Sequence, residues 1–283
     1  MLTRRNFLKN ASLTAASTLG FTGYGFANAL DLPGIRRQRL DLPNLPAAWD
    51  GLRILQISDV HAGPYMDANR MARLRDMAHR LDPDLIVFTG DQMDRRLSDA
   101  DLFVEGFSGI SAPMGAWGVL GNHDHFIDPD RSEWALEVAG IRPLVNSAVT
   151  FERSGATLAL VGVEDLQARD GRVPDFSILE RYPTSFRICL CHQPQGWRDA
   201  AAAGAHLTIS GHTHGGQIAL TGRNLNVARF STRYIAGPYR RDEAFLYVSR
   251  GVGVGAVPVR VGAPPEIDLL TLRKAALADR VAA

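Results

Sequence analysis

Three short apolar runs constrain this chain most. Leu52–Ser58, Asp84–Thr89 and Ala116–Leu120 are each continuous enough to be strands buried on both faces. Each ends in a polar cluster: Asp59-Val60-His61, Gly90-Asp91 and Gly121-Asn122-His123-Asp124. Asp59 to Asp91 is 32 residues and Asp91 to Asn122 is 31, one strand–helix–strand unit each. Such units place their strand ends along one edge of a sheet, where α/β proteins bind ligands. The helices between are visible too. Met66–Leu81 carries Met71, Leu74, Met77, Ala78 and Leu81 at helical spacing. Ser98 reads as the cap of a helix from Asp99 to Gly109, with acids in its first turn, and Arg131–Ala139 reads as another helix.

Beyond Ala139 the character shifts to strands. Ala148–Arg153 and Ala156–Val163 are expected to pair around Ser154-Gly155. Phe186–Leu190 is a strand ending in Cys191-His192, and Trp197–Ala203 is a short helix. Leu207–Ile209 is a strand ending in Ser210-Gly211-His212-Thr213-His214-Gly215-Gly216. Phe245–Val248 and Glu266–Leu270 are the clearest later strands, Arg37–Leu42 reads as an edge strand, and Leu272–Ala283 as a helical tail. No low-complexity linker interrupts the chain. The expectation is one domain over 30–283, two packed sheets with helices outside.

Residues 1–29 read as something else. Arg4-Arg5 followed by Phe7-Leu8, an acid-free Ala/Ser/Thr/Gly-rich stretch from Ala11 to Phe26, and Ala27-Asn28-Ala29 make an export signal of twin-arginine type. The twin-arginine export machinery is then an expected partner, and the expected location is the periplasm or cell envelope, with an uncleaved signal as a possible membrane anchor. Removing Arg4, Arg5 and Lys9 turns 31 basic residues into 28 against 30 acidic, a net −2. That balance does not favour a general nucleic-acid binder. The two cysteines, Cys189 and Cys191, sit in one apolar run and are poorly placed to bridge.

The strand ends together deliver Asp59, His61, Asp91, Asn122, His192, His212 and His214, all oxygen or nitrogen donors. Seven donors serve two ions at four ligands each only if one is shared, and the two-oxygen carboxylate of Asp91 is the natural bridge. Mixed imidazole and carboxylate ligands point to Mn, Fe, Zn or Co rather than Ca. Two such ions can activate water against a phosphate ester.

In order along the chain, Asp59/His61, Gly90-Asp91 with Asp94, Gly121-Asn122-His123-Asp124, His192 and Gly211-His212 with His214 resemble the motifs of the calcineurin-like metallophosphoesterases. The resemblance runs from residue 52 to about 272. It implies an α/β fold, a four-layer α/β/β/α sandwich. It implies that Asp59, His61, Asp91 and His214 hold one ion and Asp91, Asn122, His192 and His212 the other. His123 is implied to donate to a phosphate oxygen or protonate the leaving group, with Asp124 orienting it, and Asp94 to stand behind the ligands. Gly211–Ile218, Arg250–Gly253 and Gly262–Ile267 resemble the bacterial cell-envelope phosphodiesterases with twin-arginine signals. The expected activity is hydrolysis of a phosphodiester or pyrophosphate bond at the envelope, with lipid contact as a further expectation. A UDP-2,3-diacylglucosamine-type pyrophosphate hydrolase, a phosphomonoesterase and a catalytically silent envelope-binding module are the alternatives.

Several residues carry plainer readings. His79 and His206 read as structural, and His125 as structural or lining the substrate side. Cys191 beside His192 is not read as a nucleophile pair, because adjacent strand residues face opposite ways. Arg95-Arg96 and Arg240-Arg241 read equally as solvated faces or phosphate contacts, and Gly251 and Gly253 are weak as a phosphate cradle.

Overall fold

The computed structural model describes residues 23–219, 226–230, 232–255 and 257–275. The Arg4-Arg5 pair and the end of the tail, 276–283, lie outside the described residues. A helix over 23–30 (α1) leads into β1 (Gly34–Leu42). Then follow β2 (Arg53–Ile57), α2 (Ala68–Leu81), β3 (Leu85–Thr89), α3 (Asp99–Phe107), β4 (Ala116–Val119), α4 (Asn122–Ile127), α5 (Pro129–Ala139) and β5 (Arg142–Pro143). The second half gives β6 (Ser147–Arg153), β7 (Ala156–Gly162), β8 (Phe186–Leu190), α6 (Trp197–Ala202), β9 (Leu207–Ser210), β10 (Gly237–Arg241), β11 (Ala244–Val248) and β12 (Glu266–Lys274).

These strands form two six-stranded mixed sheets, ordered β1-β12-β2-β3-β4-β5 and β10-β11-β9-β8-β7-β6. The period-two alternation of strands builds the layers. On β2, Leu55 and Ile57 join Met71, Leu74 and Ala78 of α2, Phe103 and Phe107 of α3 and Leu136 of α5 in an outer core. Ile54, just before Leu55, faces the other way and meets Leu158, Ile188, Leu190 and Ile209 in the core between the sheets. On β8, Ile188 and Leu190 point into that central core, while Cys189 packs outward with Leu179 and Ala200. Each such fully buried aliphatic side chain contributes about 1.5–3 kcal/mol. The result is the expected four layers: helices, sheet, sheet, helices.

Local chemistry sets the ends of the elements. Asp67 caps α2 by accepting from Arg70 N at 2.8 Å, and Asp82 closes it in the left-handed conformation. The β6–β7 hairpin turns through Ser154 and Gly155, both at positive φ, as a two-residue hairpin loop requires. Ser98 does not cap α3: its side chain makes no capping bond. The first N–H groups of α3 instead donate to carbonyls of the turn before it, Asp99 N to Arg96 O and Ala100 N to Leu97 O, and Asp99 braces that turn by accepting from Arg95 N and Arg96 N at 2.9 and 2.8 Å.

One expectation fails late in the chain. Leu272 and its successors are not helical through Lys274; they complete β12, which runs parallel to β1 over nine residues and antiparallel to β2. At the other end, α1, the last part of the stretch read as an export signal, is docked on the folded unit. Ala29 is 1% exposed. Gly25 O accepts from Arg260 N at 2.9 Å, Asn28 Nδ2 donates to Arg260 O at 3.1 Å, and Phe26 meets Tyr65 edge to face. No helix among the described residues is long and apolar enough to cross a membrane.

Candidate metal centre

Both sheets end their parallel strands at one place. Asp59 and His61 follow β2, Asp91 follows β3 and Asn122 starts α4 just after β4. From the second sheet, His192 follows β8, and His212 and His214 follow β9. The chain must turn sharply at each strand end. Asp59, His61, Asp91, His212 and His214 all adopt positive φ between 48° and 71°. For residues other than glycine this backbone is strained, and such strain concentrates at functional sites.

Glycines at the strand ends let the loops meet. A Cβ on Gly121 would lie 2.3 Å from Asp91 Oδ1, and one on Gly90 would lie 2.4 Å from His192 Nδ1. A Cβ on Gly211 would meet Asp59 Oδ2 at 2.3 Å. The glycines in front of Asp91, Asn122 and His212 therefore make room for donors from neighbouring loops. Gly251 and Gly253 work likewise: Val252 N and Gly253 N donate to Ser58 O and Asp59 O at 3.0 and 2.8 Å. They brace the Asp59 loop.

The seven predicted donors converge. His61 Nε2 lies 3.5 Å from Asp91 Oδ2 and 3.1 Å from His214 Nε2, which is 3.5 Å from Asp59 Oδ1. On the other side of Asp91, His192 Nε2 lies 3.4 Å from the same Oδ2, 3.3 Å from Asn122 Oδ1 and 3.2 Å from His212 Nδ1. Asp59, His61, Asp91 and His214 thus form one compact donor group and Asp91, His192 and His212 another, with Asp91 in both. A third grouping, His61 with Asp94 and His123, shares the His61 ring.

The charges fit a cationic occupant. Asp59 and Asp91 are 0% and 2% exposed, and the ion-pair partners found for them among the described residues are histidines. Burial raises Asp59, against the opposing pull of His192. Burial also works against the charged form of Asp91, but His192 and His61 outweigh it and hold its carboxyl well below the usual range. Burial pushes His212 down to about 4, and burial with His61 and Arg260 pushes His214 well below its ordinary value. Asp91 and Asp59 in turn raise His192 against burial, and imidazole nitrogens beside carboxylate oxygens are the donor set of a first-row transition metal. The residues fit the two ions that the motifs imply.

His123 is half-buried, its ring edge to face on His61 at 4.6 Å between centroids. Its Nδ1 contacts Asp94 O at 2.9 Å, which leaves Nε2 for a ligand. The expected contact from Asp124 is absent. The buried Asp124 carboxylate accepts from Gly121 N, Gln92 N, Met93 N and Ser132 Oγ at 2.9–3.1 Å. Asp124 therefore ties the Asp91 loop to α4, and the Asp94 carbonyl orients His123. Asp94 also stands behind His61, its Oδ1 3.6 Å from His61 Nδ1.

The remaining histidines and cysteines serve the fold. His125 is buried against Glu164 at 2.7 Å and does not line the donor cluster. His79 Nε2 accepts from Ser111 N, and His206 Nδ1 accepts from Arg187 N. Burial raises the thiols of Cys189, to about 12, and Cys191, so neither is a ready nucleophile. Arg95 Nε pairs with Asp94 Oδ2 at 3.3 Å, and Arg240 and Arg241 sit on the exposed β10–β11 hairpin. Arg260, unremarkable in the sequence, is fully buried behind His214.

The family model of the calcineurin-like phosphoesterases matches residues 52–216, the span that carries every donor. The chain is a calcineurin-like phosphoesterase. As such it is a metal-dependent phosphoric-ester hydrolase. Among relatives, Phosphodiesterase YaeI of Escherichia coli is 29% identical over 96% of this phosphoesterase and 100% of that protein. An uncharacterized metallophosphoesterase, YkuE of Bacillus subtilis, is 30% identical over 96% and 98%. A transmembrane protein with metallophosphoesterase domain from Danio rerio is 31% identical over 89% of this chain, which spans only 60% of that longer protein.

Proposed function

We propose that this phosphoesterase hydrolyses a phosphodiester at the cell envelope, with two divalent ions held by Asp59, His61, Asp91 and His214 and by Asp91, Asn122, His192 and His212. The observation that carries this is the shared Asp91 Oδ2, 3.5 and 3.4 Å from imidazole nitrogens on opposite sides. When bound, a pair of such ions supplies a nucleophile from water and steadies the phosphate oxygens. The chain's own residues do the rest. Asp91 holds the two halves in register, and its carboxylate is fixed by His123 N at 2.9 Å. His123, anchored through Nδ1, presents Nε2 to the leaving oxygen as a proton donor. The E. coli relative named a phosphodiesterase favours a diester over a monoester substrate. The twin-arginine reading supports export in the folded, metal-loaded state, with the export machinery as partner, and the net −2 of the chain without its signal gives no reason to expect nucleic acid.

Turnover of bis-nitrophenyl phosphate should vanish on rigorous chelation and return with Mn²⁺, at a rate above that for the monoester. Activity that survives chelation contradicts the reading. His123→Ala should keep its metal and lose about 10²–10⁴-fold in rate.

A further inference from the structure

The loop after β7, residues 164–175, is fastened at its base. Asn146 Oδ1 accepts from Glu164 N and Asp175 N at 3.0 and 2.9 Å, and Asn146 Nδ2 donates to Val173 O at 2.8 Å. Glu164, 1% exposed, pairs with His125 of α4 at 2.7 Å. Arg172 pairs with Asp130 and Glu133 of α5 and lies 3.6 Å from Glu164. His125 and Arg172 therefore hold this loop against the two helices that follow β4. At the tip of the loop, Arg169 stacks on Phe126, its Cζ 4.5 Å from the ring centroid. The Phe126 ring is in turn 5.8 Å from the ring of His123. Phe126 is 44% exposed, and Arg169 is exposed as well.

The two arginines of the loop differ in charge balance. Arg172 faces three carboxylates, whereas Arg169 has no acid partner among the described residues. Stacking engages the face of a guanidinium and leaves its in-plane N–H groups free, a fork that matches two oxygens of a carboxylate or phosphate. His123 links this feature to the donor cluster, because its ring contacts both His61 and Phe126. A leaving group protonated by His123 then lies beside the Phe126 ring, with the Arg169 fork beyond it. We propose that Phe126 and Arg169 are specificity-determining residues: they form a subsite for a leaving group that carries an oxyanion of its own, a carboxylate or a phosphate, beyond the scissile ester. This rests on the diesterase reading above, and its test separates the two.

The test uses phenyl aryl phosphates whose second ring bears a para carboxylate, a para phosphonate or a neutral para carboxamide. The Mn²⁺-loaded full chain should favour a charged leaving group over the carboxamide by about ten-fold in kcat/KM, the low end for a charged hydrogen-bonded pair because Arg169 is exposed. The better of the two charged substrates names the oxyanion. Arg169→Gln should remove that preference, and Phe126→Leu, which takes away the stacking platform, should reduce it. Added salt should weaken the preference of the native chain and leave the ratio of Arg169→Gln where it is. If Arg169→Gln does not fold by circular dichroism, Phe126→Leu and the salt series still decide. No preference in the native chain, or a preference that folded Arg169→Gln keeps, overturns the proposal. No turnover of any of the three substrates by the native chain overturns the diesterase reading itself, and the subsite with it.

Discussion

At the scale of single residues, the site depends as much on what is missing as on what binds. Gly121 has no side chain because Asp91 occupies that space. Gly121→Ala should push Asp91 off its position between the two donor groups and cost metal affinity about 10–100-fold, measured by Mn²⁺ titration of the stripped chain. A buried carboxyl away from the centre gives a second prediction. Asp268 accepts from Tyr247 Oη at 2.5 Å and Ser249 Oγ at 2.6 Å, yet burial, with Glu266 adding to it, pushes it up to about 7. A raised folded pKa means that the protonated form is favoured on folding. Its contribution is complete below the ordinary carboxyl range and is lost as pH rises through about 7. The stability of Asp268→Asn relative to the native chain should therefore rise between pH 5 and 8, as followed by urea midpoints. A difference that is flat in pH contradicts this. The seven donors were legible because each follows an apolar run. The partner of His123 was not, because a backbone carbonyl has no letter, and Arg260 was one of 29 arginines in a loop without periodicity.

At the scale of elements, periodicity decided what could be read. The buried strands β2, β3, β4, β8 and β9 announced themselves as unbroken apolar runs, and α2 by its spaced core residues. β5, two residues long, and β10, mostly exposed, carried no such signal. The docking of the segment 23–29 was not legible in the sequence, for a physical reason. Its small and apolar residues suit a signal exit, and the same smallness lets it sit against Val259 and Val261, where a Cβ on Gly25 would be 2.6 and 3.0 Å from their methyl groups. Helical, hydrogen-bonded backbone with a buried Ala29 is a poor substrate for proteolysis, which favours exposed flexible chain. We therefore expect residues 23–29 to stay with the folded protein. Intact mass of the protein purified from cells that express the full chain checks this: a mass that includes them is the expected result, and an N-terminus at Leu30 contradicts it.

At the scale of the molecule, the donor cluster is a seam. Asp59, Asp91 and Asn122 come from one sheet and His192, His212 and His214 from the other, joined by the apolar core between them. The four-layer architecture was legible because two near-equal strand–helix–strand steps followed by a strand-rich half leave few other ways to bury two sheets. The order in which β12 inserts between β1 and β2 was not, since nothing local in Glu266–Lys274 names its neighbours. The proposed pair of cations, one on either side of Asp91, would sit in this seam. Anomalous diffraction from crystals grown with Mn²⁺ tests it directly. Two peaks flanking the Asp91 carboxylate, one beside His61 and His214 and one beside His192 and His212, are predicted. No peak, or manganese bound away from Asp91, would contradict it.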